Sequence, residues 1–418
     1  VRDARWTWAV VGLALVVGGG CALGPRSVED GRLRYNEAVK TTTEQQLLLN
    51  IVRLRYTDTP SSLSVSSIAE QREIVAGLKA IPFFTSAAAG NAFGGYRGAV
   101  LPQVELSGAN RPTLSYTPLD DQEFTRRLFT PITLEGTAYL AKTTWPISTV
   151  FRLYLENLNW VSNAETASGP TPRDPPEFAD FLTGVQALQR LQDRRLVALF
   201  TEEKEERATD GVPAGPNTPT AAVEAAKAGF EYRRGDDGWV VVKKQPRPVL
   251  RVGAVPAHDP DFAALCRAFK LDPAKRTFDL TADTLDPFLA DAPPAGLTQL
   301  DLETRSLLQV LFFVAHGVTV PPCHAASGVA PQTFGADGVG FDWDEVLTGL
   351  FKVSWAVGKN PPPCAAVAVR YRDYWFYIDD RDRDTKATFA LLVEVSRLEL
   401  GAKAGAAPIL TLPLGGGN

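Results

Sequence analysis

The first twenty-one residues decide how much of this chain is available to fold. Arg2 and Arg5 precede an apolar run, Trp8 to Val17, which ends in Gly18-Gly19-Gly20-Cys21. A positive start, an apolar stretch of roughly 7–15 residues and small residues before a cut are the parts of a secretory signal. A cysteine directly after the small residues is where diacylglyceryl would be linked to the thiol. The reading is a lipoprotein signal peptide over 1–20, with lipidation at Cys21. Gly18 departs from the pattern, since an aliphatic residue usually stands there. Two other readings stay open: an uncleaved anchor, and an ordinary cleaved signal with an incidental cysteine. A spanning helix takes about 20 apolar residues, and three adjacent glycines weaken this one as a helix. With two or three acyl chains (palmitate among them) such a lipoprotein is held stably, whereas one chain holds it marginally. The folded part is then tethered at the membrane but sits in water. Ala22, rather than Asp, after the cysteine favours the outer membrane, facing the periplasm or the cell surface.

Composition bounds the rest. A chain of 418 residues is too long for one ordinary core and predicts two or three packed units. It is 45% hydrophobic and 22% charged, as globular proteins are. The net charge is −5, and removing residues 1–20 takes away two arginines and one aspartate. A mildly acidic protein gives no support to nucleic-acid binding, which needs basic patches.

Apolar periodicity along the chain predicts an α+β fold. Residues 21–36 read as a tether and 413–418 as a flexible tail. The expected units are an N-terminal α+β unit over 37–166, a middle unit over 177–300 and a C-terminal unit over 301–412. A proline-rich connector, 167–176, separates the first two. Leu47, Leu48, Ile51, Val52 and Leu54 mark a helix over 44–56, and strand alternation begins at Leu63. Residues 85–98 are Ala/Gly-rich, and a hairpin with its turn at Ser107–Asn110 is expected over 104–116. Further helices are expected over 134–142, 147–160, 177–193, 260–269 and 302–316, the last capped by Gly317. Residues 196–200, 239–243 and 249–255 read as strands, and 201–220 as a solvated, flexible loop. Alternation over 351–357, 367–371 and 374–378 predicts an antiparallel β-meander, covered on one face by a helix over 385–400. Residues 409–412 close the list as a strand.

Few constellations offer chemistry. Asp380, Asp382 and Asp384 match the first ligand positions of a calcium loop, but Thr385 replaces the required glycine and Leu391 the bidentate glutamate. A charged turn with a helix N-cap is the competing reading. Cys266 lies in a helical apolar pattern and reads as a buried thiol. Cys323 and Cys364 each follow prolines, and in an oxidising compartment they are candidates for a disulfide. Cys323 and His324 are adjacent, so in an extended segment their side chains would diverge and make a poor nucleophile pair. The chain has three histidines, His258, His316 and His324, with no chelating spacing, so no metal and no cofactor is expected. Trp375 and Tyr377 alternate with Tyr374, Phe376 and Ile378. One of these faces is a candidate partner surface.

Three segments carry a resemblance: Leu47 to Tyr56 with Asp58 to Ile68, Tyr116 to Pro131, and Trp375 through Leu392. Together, over about a quarter of the chain, they resemble a group of uncharacterised bacterial lipoprotein-like proteins. The resemblance implies a cell-envelope location and no activity. Two functions of different class are carried forward. One is a non-catalytic binding, scaffold or assembly component of the envelope, held by its lipid and meeting envelope protein partners. The other is a periplasm-facing hydrolase of wall glycan, peptide or lipid. The usual catalytic signatures, Gly-x-Ser-x-Gly and His-Glu-x-x-His among them, are absent from the sequence, which leans against the enzyme.

Overall fold

The computed structural model describes residues 23–61, 63–83, 99–118, 122–142, 145–212, 218–235, 238–256, 258–282 and 294–400. These fall into a ribbon, 63–118, and a body that takes in 23–61 and 122–400. The fold is α+β. Cys21, the Ala/Gly-rich stretch 85–98, the expected strand 409–412 and the tail 413–418 lie outside the described residues.

Helix α1 runs from Leu23 to Arg55, so most of the expected tether is helical. Pro25 falls in the first turn, where a missing N–H costs nothing. Lys40 lies 3.8 Å from Glu37 and 3.7 Å from Glu44, ion pairs at the spacing that supports an exposed helix. Further along, Leu48, Ile51 and Val52 form one fully buried face.

The ribbon is an antiparallel pair, β1 (Leu63–Phe83) and β2 (Ala99–Pro118), with a bulge between Val65 and Ser67. The expected turn at Ser107–Asn110 is not formed. Those residues lie inside β2, opposite Val75 to Arg72, because β1 offers a partner along the whole of 99–118.

In the body, α2 (Gln122–Phe129), α3 (Leu134–Lys142) and α4 (Ile147–Tyr154) lead into β3 (Leu155–Leu158) and β4 (Val161–Ser162). The helix expected over 147–160 therefore ends at Tyr154. Asn159 and Trp160, with φ of 50° and 60°, turn the chain in the left-handed region that asparagine tolerates. The buried Asn159 amide donates to Phe269 O and Gln299 O, at 2.9 and 3.2 Å.

Next come α5 (Ala179–Asp193), β5 (Val197–Val212), α6 (Thr218–Lys227), β6 (Phe230–Gly235) and β7 (Gly238–Val252). The expected loop 201–220 is strand up to Val212 and helix from Thr218. The strands expected at 239–243 and 249–255 are one strand, β7. Then follow α7 (Pro260–Ala268), β8 (Thr277–Thr281), β9 (Gln299–Thr304) and α8 (Leu307–Ala315). The sheet order is β4-β3-β9-β8-β7-β5, with β6 also on β7. Because β9 pairs with both β3 and β8, the body is continuous across the expected divisions at 167–176 and 300.

The helix expected over 302–316 is shorter, since Leu300 and Leu302 belong to β9 and Ser306 with Gln309 forms a capping box. Gly317 serves by close approach: a Cβ there would stand 2.5 Å from Phe351 O. The chain continues through α9 (Pro322–Ala326), α10 (Asp344–Leu347), β10 (Ser354–Ala356), β11 (Ala365–Tyr371), β12 (Tyr374–Asp379) and α11 (Arg383–Leu400). The C-terminal sheet is antiparallel in the order β10-β12-β11, so it is not a sequential meander. Arg372 and Asp373, with φ of 45° and 70°, make the β11–β12 turn, and β10 then takes the free edge of β12. Helix α1 lies along β11, and Phe389 and Leu392 of α11 are buried in the same core as Phe376 and Ile378.

Candidate functional site

Where α1 ends against the C-terminal sheet, an aromatic cluster surrounds a cysteine and a histidine. Tyr56 and Asp58 come from the end of α1, Cys323 and His324 from α9, Trp355 from β10, and Tyr371 to Phe376 from the β11–β12 hairpin. The Tyr56 hydroxyl shares a hydrogen bond of 2.8 Å with His324 Nδ1. Its ring meets Tyr371 and Phe376 edge-on, at centroid distances of 5.3 and 6.1 Å. Tyr374 packs edge-on against His324 at 5.0 Å and against Trp355 at 5.5 Å. Each such pair adds about 0.5–1.5 kcal/mol beyond area burial.

A charged rim closes the cluster. Asp58 accepts from the Tyr371 hydroxyl and from Arg372 Nη2, the latter at 3.0 Å. The Arg372 guanidinium stands 5.2 Å from the Tyr56 ring centre and 5.5 Å from that of Tyr371, within cation–π range. Burial pushes the Tyr56 phenol up to about 12, against the opposing pull of Arg55 and Arg372, so it stays protonated at neutral pH.

No family model, curated protein or solved structure matches the chain. What the cluster can do is therefore read from its own chemistry. The Cys323 thiol lies 3.1 Å from the Tyr374 hydroxyl, while His324 is engaged by Tyr56. Thiol and imidazole are each held by a different phenol. Tyrosine, tryptophan and arginine around a partly exposed patch are the residue types that anchor protein contacts.

The predicted site residues are distributed rather than gathered. Cys323 and Cys364 are both free thiols, so the expected disulfide is not formed. Cys323 contacts Tyr374, and burial, with the nearby Cys364 second, raises the Tyr377 phenol. Tyr374 and Tyr377 are three residues apart on one strand and so occupy opposite faces. Cys266 is buried, and its thiol is pushed up to about 11 by that burial.

The aspartates divide their roles. Asp380 pairs with Lys386 Nζ at 2.6 Å. Asp382 accepts from Thr385 N at 3.0 Å and Thr385 Oγ1 at 2.7 Å, and so starts α11. Asp384 lies close enough to the buried Arg152 to favour its charge. Among the described residues, no group of three His, Cys, Asp or Glu is placed to hold a metal.

Trp375 and Tyr377 are half-buried on the face of β12 away from the cluster, and Trp375 Nε1 donates to Gly358 O at 3.2 Å. The aromatics that meet functional-type neighbours are instead Tyr56, Tyr371 and Tyr374. Tyr-x-Asp after α1 and Tyr-Arg-Asp-Tyr across a tight turn were the available signals.

Proposed function

We propose that the chain is a lipid-anchored component of the bacterial envelope that works by binding and assembly rather than by catalysis. The observation that supports this most is the ribbon. β1 and β2 pair with each other and, among the described residues, with no other strand. Each therefore keeps one long edge of backbone donors and acceptors unpaired. Such an edge is a template for adding another strand, and an isolated two-stranded ribbon is marginal in water without added partners. The aromatic and arginine rim around Tyr56 offers a second contact surface. On this reading Cys21 carries the lipid, and the site is the outer membrane, facing the periplasm or the surface. The hydrolase alternative draws no support from Cys323 and His324, whose contacts go to separate tyrosines.

Two measurements test the reading. Metabolic labelling with palmitate is expected to mark the chain and to be lost in Cys21→Ala. Mild detergent extraction from envelopes is expected to yield the chain in complexes. A strictly solitary, unlabelled monomer would overturn the proposal.

A further inference from the structure

The register of the ribbon carries a second pattern. In an antiparallel pair, residues directly opposite share a face, and faces alternate along each strand. Ile74 stands opposite Gly108, Ala76 opposite Leu106, Leu78 opposite Val104, Ala80 opposite Pro102 and Pro82 opposite Val100. These ten residues share one face, and none is polar or charged. The intervening pairs belong to the other face: Val75 with Ser107, Gly77 with Glu105, Lys79 with Gln103 and Ile81 with Leu101. Polar and charged residues concentrate there. The apolar face stops at Arg72, opposite Asn110, and at Glu70, opposite Pro112.

The length of this band is informative. It covers Ile74 to Pro82 on one strand and Val100 to Gly108 on the other. At about 3.3 Å per residue that is roughly 30 Å along the strand, or about 21 Å of height at a 45° tilt. A strand crosses a bilayer with about 9–11 residues at that tilt, and outer-membrane barrels carry an apolar band about 25 Å tall. No described helix is long and apolar enough to cross a membrane; the alternating ribbon is a different route.

We propose that ribbons from several copies of this chain pair edge to edge, β1 of one copy against β2 of the next, and close into a β-barrel in the bilayer. The inference rests on reading the chain as an envelope assembly component, and it names the partner. A second copy fits for two reasons. Its ribbon carries an apolar band of the same length, bounded by the same Arg72, so neighbouring bands align in height. The contact joins two different edges head to tail, which generates a ring when the rotation closes. With two strands per copy, the roughly eight strands of the smallest barrels require about four copies or more. Pro82, Pro102 and Pro112 each remove one backbone donor, so the remaining ladder positions carry the pairing. The outer face meets lipid, and Lys79, Gln103, Glu105 and Ser107 fall on the face lining the lumen.

The test uses the full, lipidated chain in dye-loaded vesicles of phosphatidylethanolamine and phosphatidylglycerol. Multi-copy species are expected by light scattering, together with dye release. Leu78→Arg or Leu106→Arg on the apolar face is expected to cut release at least about tenfold, given the cost of arginine at the bilayer midplane. Lys79→Gln on the other face is expected to leave release intact. An unchanged thermal transition of the body shows that the variants fold. With Cys323 and Cys364 replaced by serine, environment-sensitive labels at Ala76→Cys and Leu78→Cys should report an apolar surrounding, and one at Lys79→Cys an aqueous one. Self-association without release, or labels that do not alternate, overturns the barrel. Complexes containing other envelope proteins but a single copy of this chain overturn it while leaving the broader reading standing. A solitary monomer removes both.

Discussion

Tyr56 and His324 stand 268 positions apart in the chain and share one hydrogen bond of 2.8 Å between the phenol and Nδ1. Tyr56 is 2% exposed, and its ring also meets Tyr371 and Phe376. It joins the end of α1 to both α9 and the C-terminal hairpin. Tyr56→Phe keeps the ring and removes the hydroxyl, so it is expected to cost about 1 kcal/mol. Tyr56→Ala removes the ring as well and is expected to cost about 3–5 kcal/mol. Denaturant unfolding of both variants, with His324→Ala and the double variant to complete a cycle, measures the pair. A cycle without coupling would show that the hydrogen bond contributes nothing.

His316 gives the body a pH dependence of its own. Its Nδ1 bonds to Phe312 O at 2.7 Å, its ring packs on Trp343 at 4.1 Å, and its Nε2 is buried. Burial, and then the charges of Arg55 and Arg305, bring its pKa down to about 3. The folded value lies below the unfolded value of about 6.5, so the unfolded chain takes up the proton first. The stabilisation is complete above about pH 6.5 and is lost progressively as pH falls toward 3. At pH 5 the loss is expected to be about 2 kcal/mol. His316→Phe should flatten the stability profile between pH 7 and pH 5, as measured by urea unfolding at each pH. A variant profile with the slope of the parent would assign the effect to other groups.

Cys323 and Cys364 should behave as independent thiols even under oxidising conditions. Cys323 is exposed and bonded to Tyr374, whereas Cys364 is half-buried near Tyr377 on the other face of the sheet. Alkylation followed by intact-mass measurement is expected to label both without prior reduction. Replacing both with serine is expected to change stability by less than about 1 kcal/mol, since removing a native disulfide costs about 2–5. A mass that shifts only after reduction would restore the disulfide.

Local periodicity made some of this architecture legible and hid the rest for identifiable reasons. Leu48, Ile51 and Val52 marked the buried face of α1, and the stretches 179–193 and 260–268 read correctly as helices, because a helix satisfies its backbone within its own segment. Strand partners are not local, so β12 in the middle of its sheet and the pairing of β1 with β2 left no trace in either strand alone. Charge misled at Glu202 to Arg207, which reads as a solvated loop. These residues belong to β5, at the end of the sheet order, where charge protects an exposed edge from unwanted pairing. Conversely, 302–304 reads as part of the following helix because Leu302, buried in β9, also fits the apolar pattern that continues through Leu307 and Val310. The Tyr56 cluster was out of reach for the same reason as the sheet order: its members come from four separated segments.

Arg305 shows how much of the body depends on one buried cation. It is 0% exposed. Its Nε donates to Ser168 Oγ at 2.9 Å, and its Nη1 donates to the carbonyls of Arg152, Leu153 and Leu155 at 3.0, 3.3 and 2.7 Å. Nη2 donates to Asn163 O, and the guanidinium lies 4.1 Å from the Phe313 ring centre. Burial lowers its pKa to about 9, while Glu156 and Glu165 favour the charge, so it stays charged at neutral pH. The planar fork thereby gathers the α4–β3 junction, the segment after β4 and α8 onto one group. Lysine has three donors and no fork, so Arg305→Lys leaves several carbonyls unpaired. Arg305→Met removes the charge but abandons the same acceptors. Both are expected to cost about 3–5 kcal/mol, with lysine giving no rescue over methionine. Chemical denaturation at neutral pH decides it. A lysine variant as stable as the parent would show that charge alone, and not the fork, holds this junction.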